Sequence, residues 1–200
     1  PQQPTYGSFN PETRLKDILK TIPKECFQRD RLQAWSQVFI NIFMVVVGYV
    51  GLAIAPWYLL PFVWIFTGTA LTGFFVIAHD CGHRSFSKYK WLNNLVGHLA
   101  HTPILVPFHG WRISHRTHHN NTGNIDTDES WYPVTEATYR QMAWYEKLLR
   151  FQLILFLYPL YLFKRSPGKQ GSHFLPSSNL FRPSEKWDVI TSTICCGLMI

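Results

Sequence analysis

Five of the nine histidines in this 200-residue sequence fall in two compact groups, His79-Asp80-Cys81-Gly82-His83 and His115-Arg116-Thr117-His118-His119. On a helix, residues three or four apart share a face. His79 and His83 therefore project together, and His115, His118 and His119 form one stripe of imidazoles with Arg116 and Thr117 turned elsewhere. Neutral imidazole binds zinc, copper, iron and nickel alike, so ligand type alone does not choose the metal. Ligand number is more informative. Structural zinc takes four ligands and catalytic zinc three plus water, and five histidines exceed both. The pattern predicts a site for two metals. Among metals that suit histidine, paired iron is the one that activates O₂ to oxidise an unactivated C–H bond, a step that rests on chemical analogy rather than spacing. The first pair alone reads equally well as a polar patch at an interface; the triple has few structural uses and carries the assignment.

These side chains need rigid elements to hold them. From Leu32 to His79 the sequence has no Asp, Glu, Lys or Arg. As a single helix that stretch would run about 72 Å, more than twice a bilayer core of about 30 Å. Two passes joined by a tight turn fit better, with the turn at Ala55, Pro56 and Trp57, where proline stops a helix and aromatic rings suit the interface. Helices are expected over 37–55 and 57–78. A buried helix pair in a soluble protein is the alternative, but soluble cores rarely need so long an uncharged run. Arg14, Lys16, Lys20, Lys24, Arg29 and Arg31 precede the hairpin, and Arg84, Lys88 and Lys90 follow it. Both flanks are thereby assigned to one cytoplasmic or stromal face, with the turn on the other side.

The expected fold class is an all-α membrane protein, a transmembrane helical hairpin with interfacial helices that carry the histidine groups on that face. The chain divides into an N-terminal segment (1–33), the hairpin (34–78), a histidine-rich region (79–131), an interfacial helix with a connector (132–188) and the start of a third transmembrane helix (189–200). Apolar stretches at 91–107 and 151–163 are too short to span and read as interfacial or re-entrant helices. Residues 164–186, rich in Pro, Gly and Ser, read as an irregular connector. The sequence opens on Pro1 and closes on an apolar run shorter than a span, so the chain is expected to continue beyond it.

Charged residues make up 16% and aromatic residues another 16%, a balance that suits lipid contact. The placement of the net charge of +7 favours an anionic membrane surface or an acidic protein over nucleic acid. Cys26, Cys81, Cys195 and Cys196 lack a C-x-x-C spacing and read as reduced thiols. His98, His101 and His109 read as interfacial polar residues rather than ligands, and His173 carries no assigned role. Asp80, Asp126, Asp128 and Glu129 are candidates to accept hydrogen bonds from ligand imidazoles, with Asp126 better explained as loop chemistry.

H-x-x-x-H after a hairpin, followed some thirty residues on by H-x-x-H-H, resembles the first two histidine boxes of the membrane fatty acid desaturases. The strings from His79 to Phe86, from Val96 to His98 and from His109 to His119 are similar to acyl-lipid desaturases of cyanobacteria and plastids. The last of these, followed by Asp128-Glu129-Ser130-Trp131, is most similar to the omega-3 branch. The resemblance runs from about Leu15 onward. It implies a di-iron centre held in part by His79, His83, His115, His118 and His119, and O₂ as co-substrate. It also implies a membrane-lipid acyl chain as substrate, ferredoxin as electron donor and a multi-pass location in a cyanobacterial or plastid membrane. Lys88, Lys90 and Arg112 are candidates to dock that acidic donor, although attraction to anionic headgroups explains the same charges. The family's third box is absent, so this chain by itself is expected to hold an incomplete, inactive site. The alternatives are a hydroxylase or ketolase on the same scaffold, a delta-12 desaturase, a membrane zinc hydrolase, disfavoured because H-E-x-x-H is missing, and a non-enzymatic metal carrier.

Overall fold

The computed structural model describes residues 14–124, 126–130, 133–148, 160–165 and 169–200. The chain divides into two units, Pro1–Asp30 and Arg31–Ile200. In the first, the described residues form helix α1 (Leu15–Thr21) and a 3₁₀ turn (Lys24–Phe27). Every other element belongs to the second unit: α2 (Arg31–Ile54), α3 (Leu60–Gly82), α4 (Lys90–His101), α5 (Phe108–Asn121), α6 (Glu136–Gln141), α7 (Leu160–Phe163) and α8 (Lys186–Gly197). No strand occurs among the described residues, and the architecture is all-α. Most of the apolar stretch expected at 151–163 lies outside the described residues, as does Trp131.

α2 and α3 are the two long apolar helices. α2 begins at Arg31, earlier than the apolar run alone suggested, and ends before Pro56, whose missing N–H and fixed φ cannot continue it. A 3₁₀ turn, Trp57–Leu59, leads into α3, with Pro61 in its first turn, where proline's missing donor is harmless. α3 runs past Ala78 to Gly82 and so takes His79 into the helix itself.

Both helices are long and apolar enough to cross a membrane, and only 11% of each apolar window is buried in the protein. A core helix of a soluble protein would be mostly covered. Phe39, Phe43, Ile54, Phe62 and Ile65 instead present their side chains outward, an apolar surface that water would oppose and lipid accommodates. The helices associate through small and polar residues, as expected where lipid tails compete for apolar contact. Asn41 Nδ2 donates to Ala70 O at 2.9 Å, Gly73 leaves room for that amide, and Gly48 faces Thr67.

α4 is amphipathic. Its buried residues Asn93, Val96, Gly97, Ala100 and His101 recur at helical spacing along one face. Val96 and Ala100 pack on Ile77, Ala78 and Cys81 of α3, together with Phe86 and Phe108. Asn93 ties down the entering turn, accepting from Ser87 N and donating to the carbonyls of Ser87 and Tyr89.

α8 docks on α5 through polar and apolar contacts. Val189 packs with Ile113 and Phe181, and Arg112 and Arg116 pair with Asp188 and Glu185 at 3.3 and 2.6 Å. Ser192 Oγ accepts from His109 N at 2.8 Å, satisfying a first-turn N–H of α5 that has no partner within its own helix.

Gly97 packs against the ring of Phe108 so closely that a Cβ would overlap it, and Phe108 is fully buried. In the full-length protein in detergent, Gly97→Ala is expected to destabilise by roughly 1–3 kcal/mol, the usual effect of overpacking a filled core. Gly68→Ala, whose Cβ would meet nothing within 4 Å, is expected to leave the thermal midpoint unchanged. Equal midpoints for the two variants would contradict this packing.

Candidate metal centre

α3 and α5 bring the two histidine groups together at the end of the hairpin away from its turn. His79 lies in the last turn of α3, and His83 follows immediately as its C-cap. The end of α3 is a Schellman motif. Arg84 N donates to Cys81 O and Ser85 N to Asp80 O, each at 3.0 Å, and Arg84 occupies the left-handed region at φ 59°. This stop keeps His83 in helical register with His79 and turns the chain away just beyond it.

Four imidazole nitrogens converge. Nε2 of His83 lies 3.1 Å from Nε2 of His79 and 3.1 Å from Nε2 of His115, and His115 Nε2 lies 3.0 Å from His119 Nε2. The ligand nitrogens of these four residues all lie within 4.8 Å of one another. Each ring nitrogen has one in-plane lobe, holding either a proton or a lone pair. His83 and His115 each face two neighbours with that single lobe, so N–H···N hydrogen bonds cannot satisfy the whole set. A cation can, and metal–imidazole bonds of about 2.1 Å place neighbouring nitrogens roughly 3 Å apart. The donor set is compatible with metal binding.

Electrostatics point the same way. Burial, reinforced by His79, His119, His83 and His118, pushes the His115 imidazole down to about 3. Burial and then His79 and His119 lower His83, against an opposing pull from Asp80. Both shifts favour the neutral ring with a lone pair available, the form a metal requires.

His115 is held by its surroundings. Trp111, one turn earlier on α5, stacks on it at 4.4 Å and 20° and meets Phe75 of α3 edge-on at 4.9 Å. His101 also meets Trp111 edge-on at 5.2 Å.

His118, the fifth predicted residue, is not in the group of four. Its ring centroid lies 5.5 Å from that of His119, and its Nδ1 is 2.6 Å from Asp128 Oδ1. Asp80 makes the corresponding contact to His79 Nδ1 at 3.2 Å, from an exposed position.

Several expectations need correction. His98, His101 and His109 do not sit at a wet interface: His101 and His109 are buried, and His98 packs between Phe108 and His109. Burial pushes His101 and His109 down to about 3, so they serve as neutral aromatic core. Arg112 is not a free docking charge, since it is largely covered and held by Asp188 and His109. Lys88 and Lys90 are exposed. Glu129 forms a buried double contact with Arg165, at 2.5 and 3.0 Å, rather than a hydrogen bond to a histidine of the two groups. His173 is buried, with its Nδ1 near Leu162 O and its own carbonyl against Gly110. That closeness was foreshadowed only by a glycine at the start of α5.

A hairpin of two helices long and apolar enough to cross a membrane, with histidines from two helices gathered at its end, is the arrangement of a candidate metal site at a membrane. The fatty acid desaturase family profile matches residues 55–198, and the chain belongs to that family. It is 58% identical over 181 residues to an sn-1 acyl-lipid omega-3 desaturase (ferredoxin) of Nostoc sp., covering 90% of this chain and 50% of that protein. The protein of the same description from Synechocystis sp. is 55% identical over 188 residues, covering 93% and 52%. An sn-1 oleoyl-lipid 12-desaturase of Anabaena variabilis is 62% identical over 125 residues, covering 62% and 36%. The chain spans about half the length of the curated omega-3 relatives it matches.

The left-handed Arg84 gives a direct test of the α3 stop. A non-glycine residue there carries about 1 kcal/mol or more of strain, so Arg84→Gly is expected to raise the thermal midpoint of the detergent-solubilised protein by a few degrees. Arg84→Val, β-branched and worse at positive φ, is expected to lower it. The opposite order would rule out this conformation.

Proposed function

We propose that this chain carries the first part of the metal centre of an O₂-dependent acyl-lipid desaturase that introduces an omega-3 double bond. The observation that supports the reading most is the convergence of His79, His83, His115 and His119 at one end of a hairpin long and apolar enough to span a bilayer, in a chain of the desaturase family. These four, with His118, would hold iron as a pair, the remaining ligands being supplied by the rest of the full-length protein. Bound there, reduced iron supplies the means of using O₂ to remove hydrogen from an unactivated CH₂–CH₂ unit. The balance closes with two electrons and two protons from outside and two hydrogens from the acyl chain, so that O₂ leaves as two waters and the chain gains one double bond.

This chain's own residues act by placement. Neutral His83 and His115 offer lone pairs without first shedding protons, and Trp111 fixes the plane of His115. α2 and α3 anchor the site in a bilayer as a pair of spans, in a cyanobacterial or plastid membrane, so that an acyl chain enters laterally while electrons arrive from water. Neighbouring CH₂ groups are chemically alike, so only positioning selects one pair of carbons. The donor is ferredoxin, the donor named for the omega-3 desaturases of Nostoc and Synechocystis, and exposed Lys88 and Lys90 are suited to an acidic partner.

The 12-desaturase relative favours a second reading with the same chemistry at another carbon pair. Expression of the full-length gene with ferredoxin, in a host whose lipids contain 18-carbon monoenes and dienes, separates the two. Conversion of dienes to trienes is expected, with about two irons per purified chain, and His115→Ala is expected to reduce product below detection. Conversion of monoenes to dienes instead would establish the second reading. Hydroxylated lipid without a new double bond would overturn desaturation.

A further inference from the structure

We propose that Asp128 is a positioning residue that fixes the tautomer and ring orientation of His118, and that a buried Glu129–Arg165 brace holds Asp128 in place to do so. The proposal rests on reading His118 as a metal ligand. A carboxylate can only accept, so the 2.6 Å contact places a proton on His118 Nδ1, and in the neutral ring Nε2 then keeps the lone pair a metal needs. Asp128 is 1% exposed, and its Oδ1 also accepts from Ser130 N at 2.8 Å, which sets the plane of the carboxylate.

The surrounding loop is built to keep that carboxylate still. Asn124 Oδ1 accepts from Asp126 N and Thr127 N, and Asp128 N donates to Asn124 O. The next residue, Glu129, anchors the loop to the connector. Its two oxygens take Nε and Nη2 of Arg165, with both side chains 6% exposed. Arg165 Nη1 continues to Gln170 O and Asn179 Oδ1, and Lys169 Nζ donates to the Asp128 carbonyl. A buried, doubly bonded pair of this kind resists loss of either partner, since a lone buried charge is strongly unfavourable. Among the described acidic residues that contact a histidine of the two groups, Asp80 lies in the open at 3.2 Å, whereas Asp128 is enclosed and close. Outer carboxylates of this type typically change metal affinity about 10–100-fold.

The test uses the full-length protein loaded with iron, with release to a ferrous chelator followed by absorbance. Asp128→Asn keeps the shape but removes the charge that selects the Nδ1–H tautomer. It is expected to release iron about 10–100-fold faster than the wild type, with the thermal midpoint of the metal-free protein unchanged. Glu129→Gln is expected to lower that midpoint and also to speed release. Wild-type retention in Asp128→Asn would overturn the proposal while leaving the metal centre intact. A wild-type protein that takes up no iron would instead overturn the metal reading, and this proposal with it. If Asp128→Asn does not accumulate folded protein, ¹⁵N-histidine spectra of the wild type decide: a protonated Nδ1 on His118 supports the proposal, and a protonated Nε2 overturns it.

Discussion

Four imidazole nitrogens packed at 3.0–3.1 Å steps form an unfavourable arrangement unless something rigid imposes it. Lone pairs repel, and the single lobe on each nitrogen cannot bridge two neighbours at once. Much of the surrounding structure can be understood as imposing that crowding. α3 must end just after His83, α5 must cross so that His115 faces α3, and the gap between them must be filled without room to relax. Trp111 fills it, stacked on His115 and edge-on to Phe75 and His101. The neutral core histidines on α4 and α5 extend this aromatic packing behind the site. An imidazole there supplies ring contacts and, with its protonation suppressed by burial, brings no charge to compete with a metal.

The two histidine groups are stiffened by different means. The first lies on a helix whose apolar surface faces outward along its length, and its position comes from the hairpin contacts and from the abrupt stop at Arg84. The second lies on α5, which has little apolar exterior and is held from the other side. Ser192 meets its first turn, and two arginines on its flank pair with Asp188 and Glu185 of the α8 region. A helix with an outward apolar surface and a helix held by polar contacts thus each present half of the gathered nitrogens.

Much of this was legible in the sequence, for identifiable reasons. An uncharged run of this length, broken by Pro56 and Pro61, satisfies its backbone in lipid as helices, so the hairpin was legible in the sequence. The i, i+4 spacing fixed which histidines share a face, and four of the five predicted residues do meet. What spacing could not reveal was where an individual ring turns. His118 shares the stripe with His115 and His119, yet its contact with Asp128 depends on a loop that folds back ten residues later. Arg112 looked like a free surface charge because its partner, Asp188, lies far along the chain. His98, His101 and His109 looked interfacial because histidine is polar, and only the assembled helices show them enclosed. Arg84 gave no signal at all, since a left-handed position is usually announced by glycine.

The contrast between Asp80 and Asp128 bears on how such a site tolerates change. Asp80 sits beside its histidine on the same helix, exposed and at 3.2 Å. Water can replace it, and helical register already orients His79. Asp128 reaches His118 from a separate loop, at 2.6 Å and out of water. Nothing on α5 itself substitutes for that contact, because Arg116 faces Glu185 and Thr117 returns to its own helix at Ile113 O. The orientation of His118 therefore depends on a loop secured by an ion pair between chain segments 36 residues apart. Stability of the connector and geometry at the histidines are coupled through that pair, so a change at Arg165 would be felt at His118 before it is felt at His79.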